Sequence, residues 1–240
     1  MSRTSTMMLG IDEAGRGPVI GPLVLCGVWA RRSLLGKLVG IGTRDSKTFG
    51  ASDRARKRRG QLAAQIRAIA DHVILFCVDA AEVDRRTRLG ELNLLEQELA
   101  AAAIAAGPVA DRIIADGARL FGPLQTAHPQ LRAEDHADST SVLVAAASIV
   151  AKDERDTQFA KIIEQLEVEF GPIHGGGYAN AQTAKFLRAY FERHGQLPAE
   201  VRRSWSWEVL REINRRQAGA APVRRGEQLS LPVERDGHAS

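Results

Sequence analysis

The segment from Leu9 to Ala30 constrains the fold more than any other part of the chain. Two apolar, strand-like runs flank a pair of adjacent acids, Asp12 and Glu13, and a glycine-rich turn, Gly15-Arg16-Gly17-Pro18. The connection is too short for a crossover, so the two strands are expected to pair as an antiparallel hairpin. Neighbouring side chains in a strand point to opposite faces. Both acids can therefore serve one site only if the pleat is lost there, which the following glycines permit.

Further strands and helices alternate along the rest of the chain. Apolar, β-rich runs predict a third strand from His72 to Ala80 and a short strand that begins at Arg112 and breaks at Asp116-Gly117. Helical spacing is seen over residues 91–106, 141–170, 181–195 and 204–217. This order predicts an α/β fold with a mixed central sheet flanked by helices. The segment from Ala218 onward is polar and rich in Gly, Pro and Arg, which is typical of a disordered tail.

Composition excludes several classes of protein. Two cysteines, Cys26 and Cys77, lie inside apolar strand-like runs, where they predict packed thiols and neither a disulfide framework nor a zinc site. The first residues lack the apolar stretch of a signal peptide, and no run approaches the length of a membrane span. We therefore expect a cytoplasmic protein.

The charge distribution is uneven. The formal net charge is +4, but basic residues gather in two clusters, one over residues 54–59 and one formed by Arg202, Arg203, Arg211, Arg215 and Arg216. Such clusters suit a polyanion such as nucleic acid. Each of them is also compatible with a solvated helix face, and the sequence leaves both interpretations open.

Two more acids resemble the first pair in their position. Asp116 ends a strand before a glycine, and Asp138 stands just before the predicted long helix. Because sites in α/β sheets form at strand ends, these acids are expected to converge with Asp12 and Glu13. Four carboxylates without a nearby cysteine favour a hard divalent cation such as Mg²⁺ or Mn²⁺. The competing interpretation of each single acid is a turn residue or a helix cap.

Several motifs, in order, resemble those of the ribonuclease HII family, the type 2 ribonucleases H. They are GIDEAGRGPVIGPLV, DSK at residues 45–47, ADG around Asp116, HAD around Asp138, AAASIVAKDERD and GGGYANAQT. The resemblance covers residues 7–210. It implies a ribonuclease H-like fold, with a catalytic domain over residues 1–170, a C-terminal helical extension over residues 171–217 that completes the substrate site, and a disordered tail over residues 218–240.

The resemblance also implies an activity and its residues. Family members cut RNA in RNA–DNA hybrids and cut 5′ to single ribonucleotides embedded in duplex DNA, leaving 3′-hydroxyl and 5′-phosphate ends. Two divalent cations, Mg²⁺ or Mn²⁺, would be held by Asp12, Glu13, Asp116 and Asp138. Substrate binding would fall to the turn at the RNA–DNA junction (Gly15, Arg16 and Gly17), to phosphate contacts at Ser46 and Lys47, and to a stacking tyrosine, Tyr178.

Two positions need separate comment. The family usually has a lysine two residues before the fourth acid, where this chain has His136, which carries only partial charge near neutral pH. A hydrogen-bonding role or a pH-dependent activity would follow from that change. Asp153 is interpreted as a helix-surface residue outside the metal set. The Gly-Arg-Gly turn also argues against the sister family, ribonuclease HIII.

The tail carries a short apolar motif. Gln228 to Val233, QLSLPV, resembles the segment by which bacterial proteins bind the DNA sliding clamp. Its alternative interpretation is a segment that packs on its own domain. The tail motif favours a monomer.

Two rival functions remain at this stage. One is a nuclease of the wider ribonuclease H-like group acting on DNA structures, and the other is a catalytically silent module that binds hybrids or the clamp. The Gly-Arg-Gly turn argues against the first and the four intact acids against the second.

Overall fold

The computed structural model describes residues 6–43 and 52–220. Within them, five strands form one sheet in the order β3-β2-β1-β4-β5. The strands are β1 (Met7–Ala14), β2 (Leu23–Arg31), β3 (His72–Val78), β4 (Arg112–Asp116) and β5 (Leu131–Glu134). The β1–β2 and β2–β3 pairs are antiparallel, whereas β1–β4 and β4–β5 are parallel. The predicted hairpin and the predicted mixed sheet are both confirmed.

Nine α-helices accompany the sheet in the described part of the chain. They are α1 (Leu35–Gly40), α2 (Asp53–Ile69), α3 (Ala80–Arg88), α4 (Leu92–Ala106), α5 (Ala118–Phe121), α6 (Ala137–Thr140), α7 (Val142–Phe170), α8 (Ala181–His194) and α9 (Glu208–Ala220). Short 3₁₀ turns lie at Arg32–Leu34 and Gly122–Thr126. The predicted long helix is α7, and Ser141 is its N-cap, whose hydroxyl accepts a hydrogen bond from the N–H of Val144.

Each face of the sheet is covered by one principal helix. Leu9 and Ile11 pack in one core with residues of α4, such as Ala100. Ala14 and Cys26 pack in the other with α7 and α2. Side chains alternate along a strand, so Gly10, Asp12 and Ala14 share the α7 face. By the same alternation, the side chain of Glu13 leaves β1 on the α4 face.

A third apolar cluster lies in the C-terminal region. Val19 and Ile20, which follow the glycine turn, pack there with α8, α9 and Phe159 of α7. The backbone of Ile20 also forms an isolated bridge with Val201. The C-terminal helices therefore attach directly to the segment after the two acids.

Three sequence expectations differ from the structure in detail. Strand β1 continues past Asp12 to Ala14 with its ladder to β2 intact, so the pleat is kept at the acid pair. Asp138 lies in the separate short helix α6, because the chain breaks at Ser141 before α7 begins. Cys77 is exposed, since β3 is an edge strand of the sheet, while Cys26 is buried as expected.

The last helix extends past the predicted start of the tail. Helix α9 runs to Ala220 and so includes the first three residues of the predicted tail. Residues 221–240 lie outside the described part, as do Ser46 and Lys47. None of the helices within residues 6–43 and 52–220 is long and apolar enough to cross a membrane.

Candidate active site

Asp12 and Asp116 lie side by side at the end of two neighbouring strands. The parallel β1–β4 register pairs Ile11 with Ala115, so the next residue of each strand is one of the two acids. Paired residues of neighbouring strands point to the same face. Asp12 is only 6% exposed. The sheet thus places two carboxylates together on the face that α7 covers.

Helix α7 supplies polar partners to Asp12. Ser148 forms a side-chain hydrogen bond with Asp12, and the Lys152 ammonium donates to the Ser148 hydroxyl over 2.7 Å. Ser148 and Lys152 are one helical turn apart, so both side chains lie on one face of α7. They belong to the AAASIVAKDERD motif, but no role was predicted for either of them from the sequence.

The other two acids approach the same end of the sheet. The N–H of Glu13 donates to Asp12 Oδ1 over 2.8 Å. Asp116 Oδ1 accepts a hydrogen bond of 2.9 Å from the N–H of Ala137, the residue before Asp138. His136, which precedes them, is exposed and has a left-handed backbone with φ of 60°. Asp116 therefore fixes the start of the short helix that carries Asp138.

The electrostatics show that these acids act on one another. Burial raises the pKa of Asp12 well above its ordinary value, and the charges of Glu13 and Asp116 raise it further. Burial also raises the pKa of Glu13, and Arg16, followed by Lys152, opposes that rise. Asp12, Glu13 and Asp116 thus form one electrostatic cluster, in which ionising the carboxyls costs free energy.

The cluster fits a divalent cation chemically. Across residues 6–43 and 52–220, no three Asp, Glu, His or Cys side chains are close enough to form a metal-binding group as they stand. Yet Glu13 Oε2 is buried and has no hydrogen-bond partner among the described residues. A buried carboxylate oxygen without a donor, beside two further carboxylates, is the environment that a hard cation would stabilise.

The glycine turn next to the acids is held tightly. Gly15 has φ of +91°, and a Cβ there would lie 2.3 Å from the carbonyl oxygen of Pro22, so only glycine fits. On the C-terminal side, the fully buried Arg202 donates to the carbonyl oxygens of Arg16 (3.3 Å) and Gly21 (2.8 Å). The indole of Trp205 donates to the Gly17 carbonyl over 3.1 Å.

Arg16 has partners that the sequence did not predict. Its guanidinium forms a salt bridge with Glu96 of α4 and donates to Asn93 Oδ1 over 2.6 Å. Glu96 is fully buried. One signal was visible beforehand, since Glu96 lies four residues from Leu92 and from Ala100, on the apolar stripe of α4.

The second glycine-rich loop carries Tyr178 to the same place. The ring of Tyr178 is half exposed, and a Cβ on Gly17 would lie 3.7 Å from it. The buried Arg155 of α7 donates to the Gly176 carbonyl over 2.7 Å, and its guanidinium lies 5.5 Å from the Tyr178 ring. The structure therefore brings Tyr178 and the Gly-Arg-Gly turn together.

A cleft of about 660 Å³ joins these parts. Its lining includes Glu13, Arg16 and Tyr178 together with the basic residues Arg56 and Arg59 of α2 and Lys152 and Arg155 of α7. Asp156 also lines it and pairs with Arg59 and Arg155. A cleft with this excess of cations beside Glu13 suits a phosphodiester chain.

The two basic clusters of the sequence differ in the structure. Residues 54, 56, 57 and 58 of α2 are exposed, and Arg56, which pairs with Asp53, lines the cleft. On α9, Arg211 and Arg215 pair with Glu208, and Arg216 pairs with Glu192. Arg202, from the same cluster, is buried. The α9 cluster is therefore largely neutralised by its own neighbours.

Comparisons with known proteins agree with this geometry. The family model for ribonuclease HII matches residues 9–207. Ribonuclease HII of Thermococcus sibiricus is 36% identical over 205 residues, covering 82% of this chain and 87% of the relative. Ribonuclease HII of Haloarcula marismortui is 37% identical over 207 residues, covering 83% and 92%.

Solved structures show the same fold. The crystal structure of ribonuclease H2 from Pyrococcus horikoshii superposes with a TM-score of 0.75 at 31% identity, covering 89% of this chain and 99% of that one. The ribonuclease HII in a PCNA complex from Archaeoglobus fulgidus gives 0.69 at 34% identity, covering 83% and 95%. A ribonuclease HIII solved with Mn²⁺, at 22% identity and a TM-score of 0.68, shares the fold, covering 91% and 71%. The predicted ribonuclease H-like fold is confirmed, and the chain belongs to the ribonuclease HII family.

Proposed function

We propose that this ribonuclease H cuts RNA strands paired with DNA and cuts 5′ to single ribonucleotides embedded in duplex DNA. Its products would carry 3′-hydroxyl and 5′-phosphate ends. The observation that supports this most is one cleft that is lined both by Glu13, which interacts electrostatically with Asp12 and Asp116, and by Gly15 and Arg16 of the tightly held turn.

Asp12, Glu13, Asp116 and Asp138 would hold two divalent cations, Mg²⁺ or Mn²⁺. Such cations supply Lewis acidity toward the phosphate and lower the pKa of a bound water. The chain's own contribution is to keep the carboxylates ionised and oriented. Ser148 and Lys152 do this for Asp12, since both lower its pKa. The relative solved with Mn²⁺ supports the choice of cation.

The turn would read the sugar. A ribose differs from a deoxyribose by its 2′-hydroxyl, which can both donate and accept a hydrogen bond. Gly15 and Gly17 leave the backbone accessible beside the acids, and Tyr178 stands next to Gly17. Tyr178 would stack on the neighbouring deoxyribose, and Ser46 and Lys47 would contact phosphates.

The test is cleavage of a DNA duplex that contains one ribonucleotide, with Mg²⁺ or Mn²⁺. We expect the wild type to cut 5′ to the ribonucleotide and to cut an RNA–DNA hybrid, and Asp12→Asn to lose activity on both by several orders of magnitude. Glu164→Gln, on the exposed side of α7, is the matched control and should retain activity.

The same assay separates the rival functions. Cleavage of an all-DNA duplex or branched DNA, with no preference for the ribonucleotide, would indicate a nuclease for DNA structures. Tight binding of the hybrid without any product would indicate a silent binding module. Either result contradicts the proposal.

A second proposal concerns a partner. The tail motif Gln228–Val233 would bind the DNA sliding clamp, with the glutamine at the edge of a pocket and the apolar side chains in a groove. The similarity to a ribonuclease HII solved as a PCNA complex supports a clamp as the partner. We further propose that the enzyme itself is a monomer.

A further inference from the structure

Arg16 is anchored on α4. Its NH1 group pairs with Glu96 and its NH2 group donates to Asn93 Oδ1, which is 2.6 Å away. Glu96 and Asn93 are three residues apart and so lie on one face of the helix. Two contacts of this kind fix the plane of a guanidinium, because its donors form a rigid fork. Arg16 is thus oriented by the protein itself.

Glu96 is a costly residue to bury. It is fully buried, and its Oε1 atom has no hydrogen-bond partner among the described residues. Removing a carboxylate from water with one oxygen unpaired costs free energy, and buried ion pairs are often replaced by apolar residues without loss of stability. A role in stability alone therefore explains Glu96 poorly.

The turn is held from a second direction as well, by the C-terminal segment. Arg202 and Trp205 hold the carbonyl groups of Arg16 and Gly17 from the C-terminal segment. In the described part of the chain, the backbone N–H groups of Arg16 and Gly17 make no hydrogen bond. Holding the carbonyls and the Arg16 side chain leaves these two donors in a fixed orientation at the edge of the cleft, which Gly15 and Arg16 line.

We propose that Glu96 is a positioning residue for ribonucleotide recognition, which acts by holding Arg16 and with it the Gly15–Gly17 turn. The inference rests on the proposed function, because it assumes that the turn reads a ribose. A single embedded ribonucleotide offers one 2′-hydroxyl, so the turn must be placed correctly. A hybrid offers a 2′-hydroxyl at every step of the RNA strand, so a displaced turn can still find one.

The first test compares Glu96→Gln with the wild type on two substrates. They are a duplex with one ribonucleotide and an RNA–DNA hybrid of the same sequence. We expect kcat/KM for the single ribonucleotide to fall at least tenfold, mainly through KM, while that for the hybrid changes less than threefold. Glu98→Gln is the matched control, because Glu98 lies on the same helix and pairs with Arg86 outside the turn. It should leave both values unchanged.

A second variant keeps the test valid if Glu96→Gln folds poorly. Arg16→Met combined with Glu96→Leu replaces the ion pair by apolar side chains. We expect its Tm to equal or exceed that of the wild type. We also expect its ratio of kcat/KM for the single ribonucleotide to kcat/KM for the hybrid to be no lower than that of Arg16→Met alone. Non-additivity of this kind shows that Glu96 acts through Arg16.

Three results would overturn the inference. Equal losses on both substrates would assign Glu96 a general structural role, unchanged values would assign it none, and additive losses would separate it from Arg16. If the wild type shows no preference for ribonucleotides, the proposed function fails as well. That failure is distinguishable, because it is seen with the wild type alone, before any variant is compared with it.

Discussion

At the scale of single residues, the acid pair is a site where stability and function oppose each other. Asp12 and Glu13 are adjacent, nearly buried and close to Asp116, and their ionised forms repel one another. The folded protein therefore holds protons on these carboxylates more tightly than the unfolded chain does. The contribution of these two carboxyls to stability is therefore greatest at low pH, and it falls as the pH rises from the ordinary carboxyl pKa through the raised one.

This argument predicts the behaviour of Asp12→Asn without metal. At pH 7.5 we expect a higher Tm than that of the wild type, by about 2–4 °C for each kcal/mol of relieved repulsion. The difference should shrink as the pH approaches 4, where the wild-type carboxyls take up protons. Scanning calorimetry in EDTA over this range, with Glu164→Gln as a control, measures it.

Divalent cations should reverse the order of the two Tm values. Adding Mn²⁺ should raise the Tm of the wild type more than that of Asp12→Asn, because a ligand stabilises the folded state in proportion to its binding. A variant that is less stable than the wild type in EDTA at pH 7.5 would contradict the electrostatic account.

Much of the site was predictable from single residues, and the rest was not. Asp12, Glu13 and Asp116 lie in the last residues of β1 and β4, and the glycine turn follows β1; the apolar pattern of the sequence reveals both strands. Glu96 and Arg202 are distant from them in sequence, and only tertiary packing shows that both contact the turn. A charged residue on the apolar stripe of α4 was the one local signal for Glu96.

At the scale of elements, the close packing of β1 on α7 positions Asp12. A Cβ on Gly10 would lie 2.3 Å from the backbone carbon of Leu143, so glycine lets the strand and the helix approach. Asp12 lies two residues after Gly10 on β1, and Ser148 lies after Leu143 on α7. Any separation of the two elements would therefore displace their hydrogen bond.

We accordingly predict that Gly10→Ala destabilises the protein by about 1–3 kcal/mol, the range for overpacked cores, and lowers activity on every substrate. Gly36→Ala in α1 is the control, since nothing lies within 4 Å of a Cβ there. Denaturant unfolding measures both. An unchanged midpoint for Gly10→Ala would show that the contact is not restrictive.

Helices α2 and α9 both carry clusters of basic residues, but we expect only the α2 cluster to contribute to hybrid binding. Replacing Arg54, Arg56 and Lys57 of α2 by Gln should weaken hybrid binding and reduce the slope of log K against log salt by about 0.9 for each lost phosphate contact. The same change at Arg211, Arg215 and Arg216 should have little effect, because all three are paired with acids, whereas in the α2 set Arg56 alone has such a pair within the described residues, with Asp53. Fluorescence anisotropy in the Asp12→Asn background gives both slopes. Equal slopes for the two triple variants would contradict the assignment.

The elements also show where sequence patterns fail. Strands β1, β2 and β4 and helices α4, α7 and α8 were predicted because their apolar periodicity is strong. Strand β5, with only four residues, and the one-turn helix α6 were not predicted, because so few residues give no periodicity. Their positions depend on pairing with β4 and on the bond from Ala137 to Asp116.

At the scale of the whole molecule, the proposed functions assign separate tasks to the described domain and to the tail. Deleting residues 226–240 should abolish binding to the sliding clamp and leave cleavage of a short ribonucleotide-containing duplex within twofold of the wild type. Gel filtration of the clamp mixture and a cleavage assay measure the two properties. The double variant Leu229→Ala and Leu231→Ala is the matched control for loss of length, and it should behave like the deletion. Retained clamp binding by either protein would contradict the tail's proposed task.

The attachment of the glycine turn to residues near the end of the domain has a consequence for synthesis. The turn is made within the first twenty residues, but its carbonyls are held by Arg202 and Trp205. A nascent chain thus possesses its acidic pair early, yet the corner beside that pair is completed only when translation has passed Trp205. The proposed recognition of ribose should consequently be acquired only after the acidic pair has long been made.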